Sequence, residues 1–84
     1  LPMNLEKGTV VKSLCGRDKN KYFCVLDKQG DYVLYCDGCV RRLEKPKRKK
    51  IKHVQVTRVK LQTEILQVNK HIKKALTSLN IVEE

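Results

Sequence analysis

The pattern of apolar and polar positions in the first half of the chain predicts short β-strands. Residues 8–13 are rich in β-branched side chains, and residues 22–26 and 32–36 are short runs with Tyr, Phe, Val and Leu. The stretches between them, 16–21 and 27–31, are polar and contain glycine, as loops and hairpin turns do. Three strands are therefore expected before residue 37.

Two further strands are predicted after that point. Asp37-Gly38 is a dipeptide typical of a tight turn, and a fourth strand is expected to follow over residues 40–43. Pro46 should end any pairing there, and residues 51–56 alternate apolar and polar side chains as an edge strand does. Five short strands close together favour a mainly β fold, a small barrel that leaves few exposed edges.

The last third of the chain changes to a helical period. Apolar residues recur at steps of three and four, at Leu61, Ile65, Val68, Ile72, Leu76 and Leu79. This spacing predicts one amphipathic helix over residues 61–80, with its start near Thr63-Glu64. We expect two parts, a barrel over residues 3–57 and a helix packed on or beside it, although the apolar stripe could instead contact a partner or a second copy.

Length and composition restrict the possible functions. The chain has 84 residues, 33% of them charged, with three Tyr, one Phe and no Trp. One small domain with so little apolar material leaves no room for a deep substrate pocket. We find no apolar run long enough to cross a bilayer and no signal-peptide pattern, so a soluble cytoplasmic protein is expected. No catalytic triad, paired carboxylates or phosphate-binding glycine loop is recognisable, so neither an enzyme nor a cofactor is predicted.

The positive charge is concentrated in one part of the chain, residues 41–60, which we call the basic segment. The chain has a formal net charge of +10, and ten Lys or Arg against Glu44 give this segment +9 of it. A polyanionic partner is the simplest reason for a protein to tolerate such self-repulsion. Because the segment lacks the bulky apolar face of an interfacial helix, nucleic acid is favoured over a membrane surface.

Three stretches of the sequence resemble a known family. Residues 8–25 (GTVVKSLCGRDKNKYFCV) resemble the KOW motif, and residues 31–38 (DYVLYCDG) and 41–53 (RRLEKPKRKKIKH) continue the likeness. Together they resemble the small bacterial KOW-domain RNA-binding proteins, which are similar to KOW-containing large-subunit ribosomal proteins. The resemblance implies an SH3-like barrel that binds structured RNA, usually ribosomal, through its β1–β2 loop and adjacent basic segments.

The resemblance also implies which residues contact RNA. Gly16 is the motif glycine, and Asn20 stands where the family usually has a second glycine. Asn tolerates a left-handed backbone better than most residues, so the loop shape should survive. Asp18 is expected to hydrogen-bond the loop backbone rather than RNA. The predicted RNA-binding residues are Gly16, Arg17, Lys19, Asn20, Lys21, Arg41, Arg42, Lys45, Lys47, Arg48, Lys49, Lys50, Lys52 and His53.

The four cysteines raise the alternative of a zinc site. Only Cys36 and Cys39 have the short spacing of zinc ligands, because eight residues separate Cys15 from Cys24. The family resemblance predicts no ligands at these positions. Reduced thiols, mostly buried, are the expected state in a reducing compartment.

These observations favour a non-catalytic protein that binds structured RNA, alone or within a ribosome or other ribonucleoprotein complex. The few aromatic residues lie in strand patterns, so recognition of RNA shape is expected rather than stacking on single strands. A monomer is favoured, although the sequence does not fix the oligomeric state. The alternative is a KOW module that binds protein in a transcription or translation complex, through the helix stripe or a barrel face.

Overall fold

The fold is mainly β, with five strands and one C-terminal helix. The computed structural model describes residues 5–82, with side chains to residue 79. The strands are β1 (Thr9–Ser13), β2 (Tyr22–Gln29), β3 (Tyr32–Cys36), β4 (Lys47–Lys50) and β5 (Val54–Lys60). Two 3₁₀ turns, Ile51–His53 and Ile65–Gln67, precede β5 and the helix α1 (Asn69–Val82) respectively.

The strands form one antiparallel sheet that curls on itself. Its order is β4-β3-β2-β1-β5, so β4 and β5 lie at opposite edges. Only the 3₁₀ turn Ile51–His53 joins these two edges. A flat sheet would separate them by roughly 19 Å, whereas three residues of 3₁₀ helix rise only about 6 Å. The sheet must therefore be strongly curved, in agreement with the small barrel predicted from the sequence.

Each face of the sheet buries its own apolar cluster, because successive side chains of a strand alternate between faces. The inner cluster includes Val11, Phe23 and Tyr35, and the last two rings stack with centroids 4.1 Å apart. The outer cluster, on the face that α1 covers, comprises Val10, Tyr22, Cys24, Cys36, Leu66, Ile72 and Leu76. The stripe of α1 thus packs on the barrel through Ile72 and Leu76, which are 0% and 3% exposed.

The fourth strand does not lie where it was predicted. Residues 40–43 are not a strand, and β4 is instead the basic run Lys47–Lys50. The Asp37 carboxylate accepts hydrogen bonds from the N–H groups of Cys39 and Arg41 (both 2.9 Å), and Leu43 N–H donates to Asn69 Oδ1 (2.8 Å). Side chains therefore occupy backbone donors that a strand would need for its ladder. The chain does change direction after Asp37, but in a wider bend over residues 38–41, which the N–H groups of Asp37 and Gly38 close by donating to Arg41 O (2.8 and 3.1 Å).

The boundaries of three other elements also differ from the prediction. Residues 51–53 of the predicted fifth strand form the first 3₁₀ turn, and β5 runs instead over Val54–Lys60, past the predicted end of the barrel at residue 57. β2 extends to Gln29, so the β2–β3 hairpin turns at Gly30 and Asp31 alone. After β5 and the second 3₁₀ turn, Val68 is extended (φ −135°), and α1 begins only at Asn69.

The predicted helix start near residues 63–64 was therefore wrong. Because the backbone at Val68 is extended, this side chain does not continue the apolar stripe of α1 and is 42% exposed. Within the described residues, 5–82, no helix is long and apolar enough to cross a membrane.

Candidate nucleic-acid interface

The β1–β2 loop (residues 14–21) has the conformation expected from its sequence. Gly16 and Asn20 have left-handed backbones (φ 79° and 70°), a conformation that glycine adopts freely and asparagine tolerates better than most residues. Asn20 N–H donates to Ser13 O (2.8 Å), and Ser13 N–H donates to Lys21 O (3.0 Å). These bonds close the base of the loop and leave Arg17 and Lys19 exposed beside Lys21.

A buried carboxylate attaches the loop to the barrel. Asp18 is 5% exposed, accepts a hydrogen bond from Tyr35 Oη (2.9 Å) and pairs with Arg41 Nε (3.3 Å). The Asp18 side chain therefore joins the loop to β3 and to residue 41, rather than bonding to the loop backbone as predicted. Burial, together with the Asp18 carboxylate, raises the pKa of Tyr35, so this hydroxyl remains a proton donor.

The basic segment meets the loop on its other side. Lys49 Nζ donates to Cys15 O at 2.8 Å, and Leu14 N–H donates to His53 O at 2.9 Å. A Cβ atom built on Gly16 would lie 3.3 Å from Lys49 Nζ, so a side chain there would press on this contact. The loop and the basic segment, whose contacting residues Cys15 and Lys49 are 34 positions apart in the sequence, therefore form one surface at this end of the barrel.

Some of the predicted contact residues already have hydrogen-bond or ion-pair partners within the protein, and others do not. Arg41 is bound to Asp18, Lys49 to the Cys15 carbonyl, and Arg42 to Glu44 in an exposed ion pair (3.1 Å). Among the described residues, the side chains of eight predicted cations have no hydrogen-bond or ion-pair partner: Arg17, Lys19, Lys21, Lys45, Lys47, Arg48, Lys50 and Lys52. The unpartnered cations are the ones best able to bind phosphate, whereas Arg41 and Lys49 position the loop.

The basic segment does not form one continuous patch. Lys60 pairs with Thr9 at the start of β1, and its ammonium group bonds to Glu6. Val54, at the other end of β5, pairs with Ser13 beside the loop. Five residues of β1 separate these points by roughly 13 Å. Arg58 and Lys60 therefore lie toward the end of the barrel opposite the loop.

The helix adds a cation that the sequence did not point to. Lys21 and Lys73 line the same groove of about 310 Å³ between the barrel and α1, together with Asp37, Tyr22, Cys39 and Thr77. Residues 61–84 are neutral as a whole, which hides this local contribution. Only the docking of α1 brings Lys73 to the loop exit.

The aromatic side chains are arranged as the sequence suggested, with one addition. Tyr22, Phe23 and Tyr35 are buried, and Tyr32 is half-buried. The Arg48 guanidinium carbon lies 4.1 Å from the centroid of the Tyr32 ring. This cation–π pair places an arginine of β4 over the Tyr32 ring, beside the other cations of β4.

The cysteines do not gather at one point. Cys24 and Cys36 are buried partners across β2 and β3, Cys15 is half-buried and Cys39 is exposed. Burial raises the pKa of Cys24 to about 12 and that of Cys36 to about 11. Over residues 5–82 the structure shows no group of three or more His, Cys, Asp or Glu side chains that could hold a metal ion.

Neither the protein-family models nor the curated proteins that were compared with the chain give a match.

Proposed function

We propose that this protein is a non-catalytic RNA-binding module that contacts folded RNA through the β1–β2 loop and residues 41–53. The observation that carries the proposal is the contact of Lys49 with the Cys15 carbonyl (2.8 Å), which joins the two basic elements. Unpartnered cations of both elements then face the same partner. The KOW resemblance supports ribosomal RNA as the class of ligand and the cytoplasm as the location.

The chemistry of the surface suits phosphate rather than a protein partner. Arg17 can form bidentate contacts with phosphate, while Lys19 and Lys21 supply mobile point charges. With roughly four to six phosphates engaged, the logarithm of affinity should fall with the logarithm of salt concentration at a slope of about −3 to −5. The helix stripe, which a protein-binding module would use, is largely occupied by the barrel.

The proposal is tested by neutralising the loop. We expect the triple variant Arg17→Gln, Lys19→Gln, Lys21→Gln to bind a ribosomal RNA hairpin on the order of 100-fold more weakly. Its salt slope should be shallower by about 2 to 3, because three counterion-releasing contacts are lost. All three side chains are exposed, so the midpoint of thermal unfolding should change little.

A control variant removes the same charge elsewhere. Lys7, Arg58 and Lys74 are exposed and lie outside the proposed interface, with Lys74 on the face of α1 opposite Ile72 and Leu76. Replacing these three by Gln should retain most of the affinity and of the salt slope. If both triple variants lose affinity equally, binding depends on net charge alone and the proposed interface is wrong.

A further inference from the structure

A second surface cavity lies beside the proposed interface, where the β2–β3 turn meets the connection from β4 to β5. Its volume is about 690 Å³, and its lining residues are Asp31, Tyr32, Lys50, Ile51, Lys52 and Val54. Ile51 N–H donates to Asp31 O (2.8 Å), which fastens the two walls together. Val54 is 6% exposed and Ile51 packs against the inner cluster, so the floor is apolar and held by the core.

The rim of this cavity carries polar groups that nothing in the described part of the chain satisfies. The Asp31 carboxylate, the Tyr32 hydroxyl and the ammonium groups of Lys50 and Lys52 have no hydrogen-bond or ion-pair partner among residues 5–82. The Tyr32 ring is fixed by Arg48, whose guanidinium lies over it. An apolar floor, an aromatic ring in contact with Arg48 and an exposed carboxylate beside two cations are complementary to a planar heterocycle that is attached to phosphate.

The Asp31 carboxylate selects among the heterocycles that RNA offers. An ionised carboxylate only accepts hydrogen bonds, so it requires donors on the base. On its Watson–Crick edge guanine presents two adjacent donors, N1–H and the N2 amino group. Adenine and cytosine each present one amino group beside a ring acceptor, and uracil presents one N–H between two carbonyl oxygens. Only guanine can therefore pair with both carboxylate oxygens.

We propose that this cavity binds one unpaired guanine of the bound RNA. The base packs against Tyr32 and Ile51, its Watson–Crick edge donates to Asp31, and Lys50 and Lys52 contact the flanking phosphates. This inference rests on the proposed RNA binding and adds to it a single base that is recognised by identity rather than by shape.

The test compares a perfectly paired RNA hairpin with four versions that carry one bulged G, A, C or U, by fluorescence anisotropy at a series of salt concentrations that is the same for all five. The wild-type protein should bind the bulged-G hairpin about tenfold more tightly than the other three, within the range by which one bidentate hydrogen-bonded contact discriminates against the wrong base. Asp31→Asn should abolish this preference, because the amide offers one acceptor and one donor in place of two acceptors.

The direction in which RNA affinity changes when an acid is removed distinguishes contact with the base from general electrostatic attraction. Removing an acid from a basic surface strengthens binding to every RNA unless that acid contacts the ligand. Asp27→Asn is the matched control, since Asp27 is exposed on the same hairpin, bonds only to Lys28 and Gln29, and does not line the cavity. The control should keep the preference for guanine, while Asp31→Asn should weaken binding to the bulged-G hairpin and not to the paired one.

Equal affinity for the four bulged hairpins, or identical behaviour of Asp27→Asn and Asp31→Asn, would overturn the guanine site. In that case salt-dependent binding to the paired hairpin would still leave the proposed function standing. Absence of salt-dependent binding to any of the five RNAs would overturn the proposed function itself.

Discussion

Replacing Gly38 by Ala should detach the helix from the barrel. Gly38 has a left-handed backbone (φ 78°), and a Cβ atom built there would lie 2.1 Å from Asn69 O and 3.0 Å from Lys73 N. Both are backbone atoms of α1, so no side-chain rotation can relieve the overlap. The helix would have to move away from the loop by about 1 Å or more, given ordinary van der Waals separation.

The magnitude follows from what the helix buries. A left-handed backbone costs an L-residue about 1–2 kcal/mol. Ile72 and Leu76 are almost completely buried, and each contributes roughly 1.5–3 kcal/mol when fully removed from water. With the helix detached these contributions add to about 4–8 kcal/mol, so we expect Gly38→Ala to lower the free energy of unfolding by about 4 kcal/mol or more. For a domain of this size the midpoint of thermal unfolding should fall by roughly 16 °C or more.

Gly30 provides the matched control. It also has a left-handed backbone (φ 59°), but a Cβ atom there would meet nothing within 4 Å. Gly30→Ala should therefore show only the backbone cost of about 1–2 kcal/mol. Unfolding followed by circular dichroism measures both variants. If the two lose the same stability, close packing of α1 on Gly38 does not contribute, and the reasoning is refuted.

Three further outcomes are expected. Asp18→Asn should lower the free energy of unfolding in urea by about 1.5–3 kcal/mol, because a buried charged hydrogen-bond acceptor becomes neutral, and a change below about 0.5 kcal/mol would contradict this role. Hydrogen bonding, chiefly to Asn69, lowers the pKa of Glu44 from 4.5 to about 2. The folding stability that ionised Glu44 contributes is therefore fully present above pH 4.5 and is lost as the pH falls toward 2. The difference in unfolding temperature between wild type and Glu44→Gln should accordingly shrink over that interval, and a constant difference would exclude the linkage. Exposed Cys39 should react with a thiol reagent in the native protein, whereas buried Cys24 should react only after unfolding, and equal rates would show that the outer cluster opens readily.

The parts of the fold that local sequence determines were predicted well. The β-branched and aromatic runs gave β1, the start of β2, and β3, because such residues suit a pleated surface that is buried on both faces. The shape of the β1–β2 loop also followed from two residues, since left-handed backbone at Gly16 and Asn20 is a local preference.

The parts that depend on tertiary pairing were not predicted. β4 consists of Lys-Arg-Lys-Lys and has no apolar member, so periodicity cannot identify it as a strand. It forms because β3 offers an unpaired edge, with Tyr35 opposite Lys47 and Tyr32 opposite Lys50. The Lys49–Cys15 contact depends in turn on the curvature of the sheet, and no local pattern encodes that curvature.

The position of β4 bears on why the protein tolerates its charge. A strand at a sheet edge exposes unpaired backbone groups, and charged side chains there prevent pairing with another chain. Protection of this edge alone would explain one or two lysines. It does not explain why the loop that the strand touches also exposes Arg17, Lys19 and Lys21, since that loop has no strand edge to protect. Like charges gathered from two segments destabilise the folded state unless a partner compensates them. The proposed polyanionic ligand therefore accounts for the positive charge of the loop, which protection of the β4 edge does not explain.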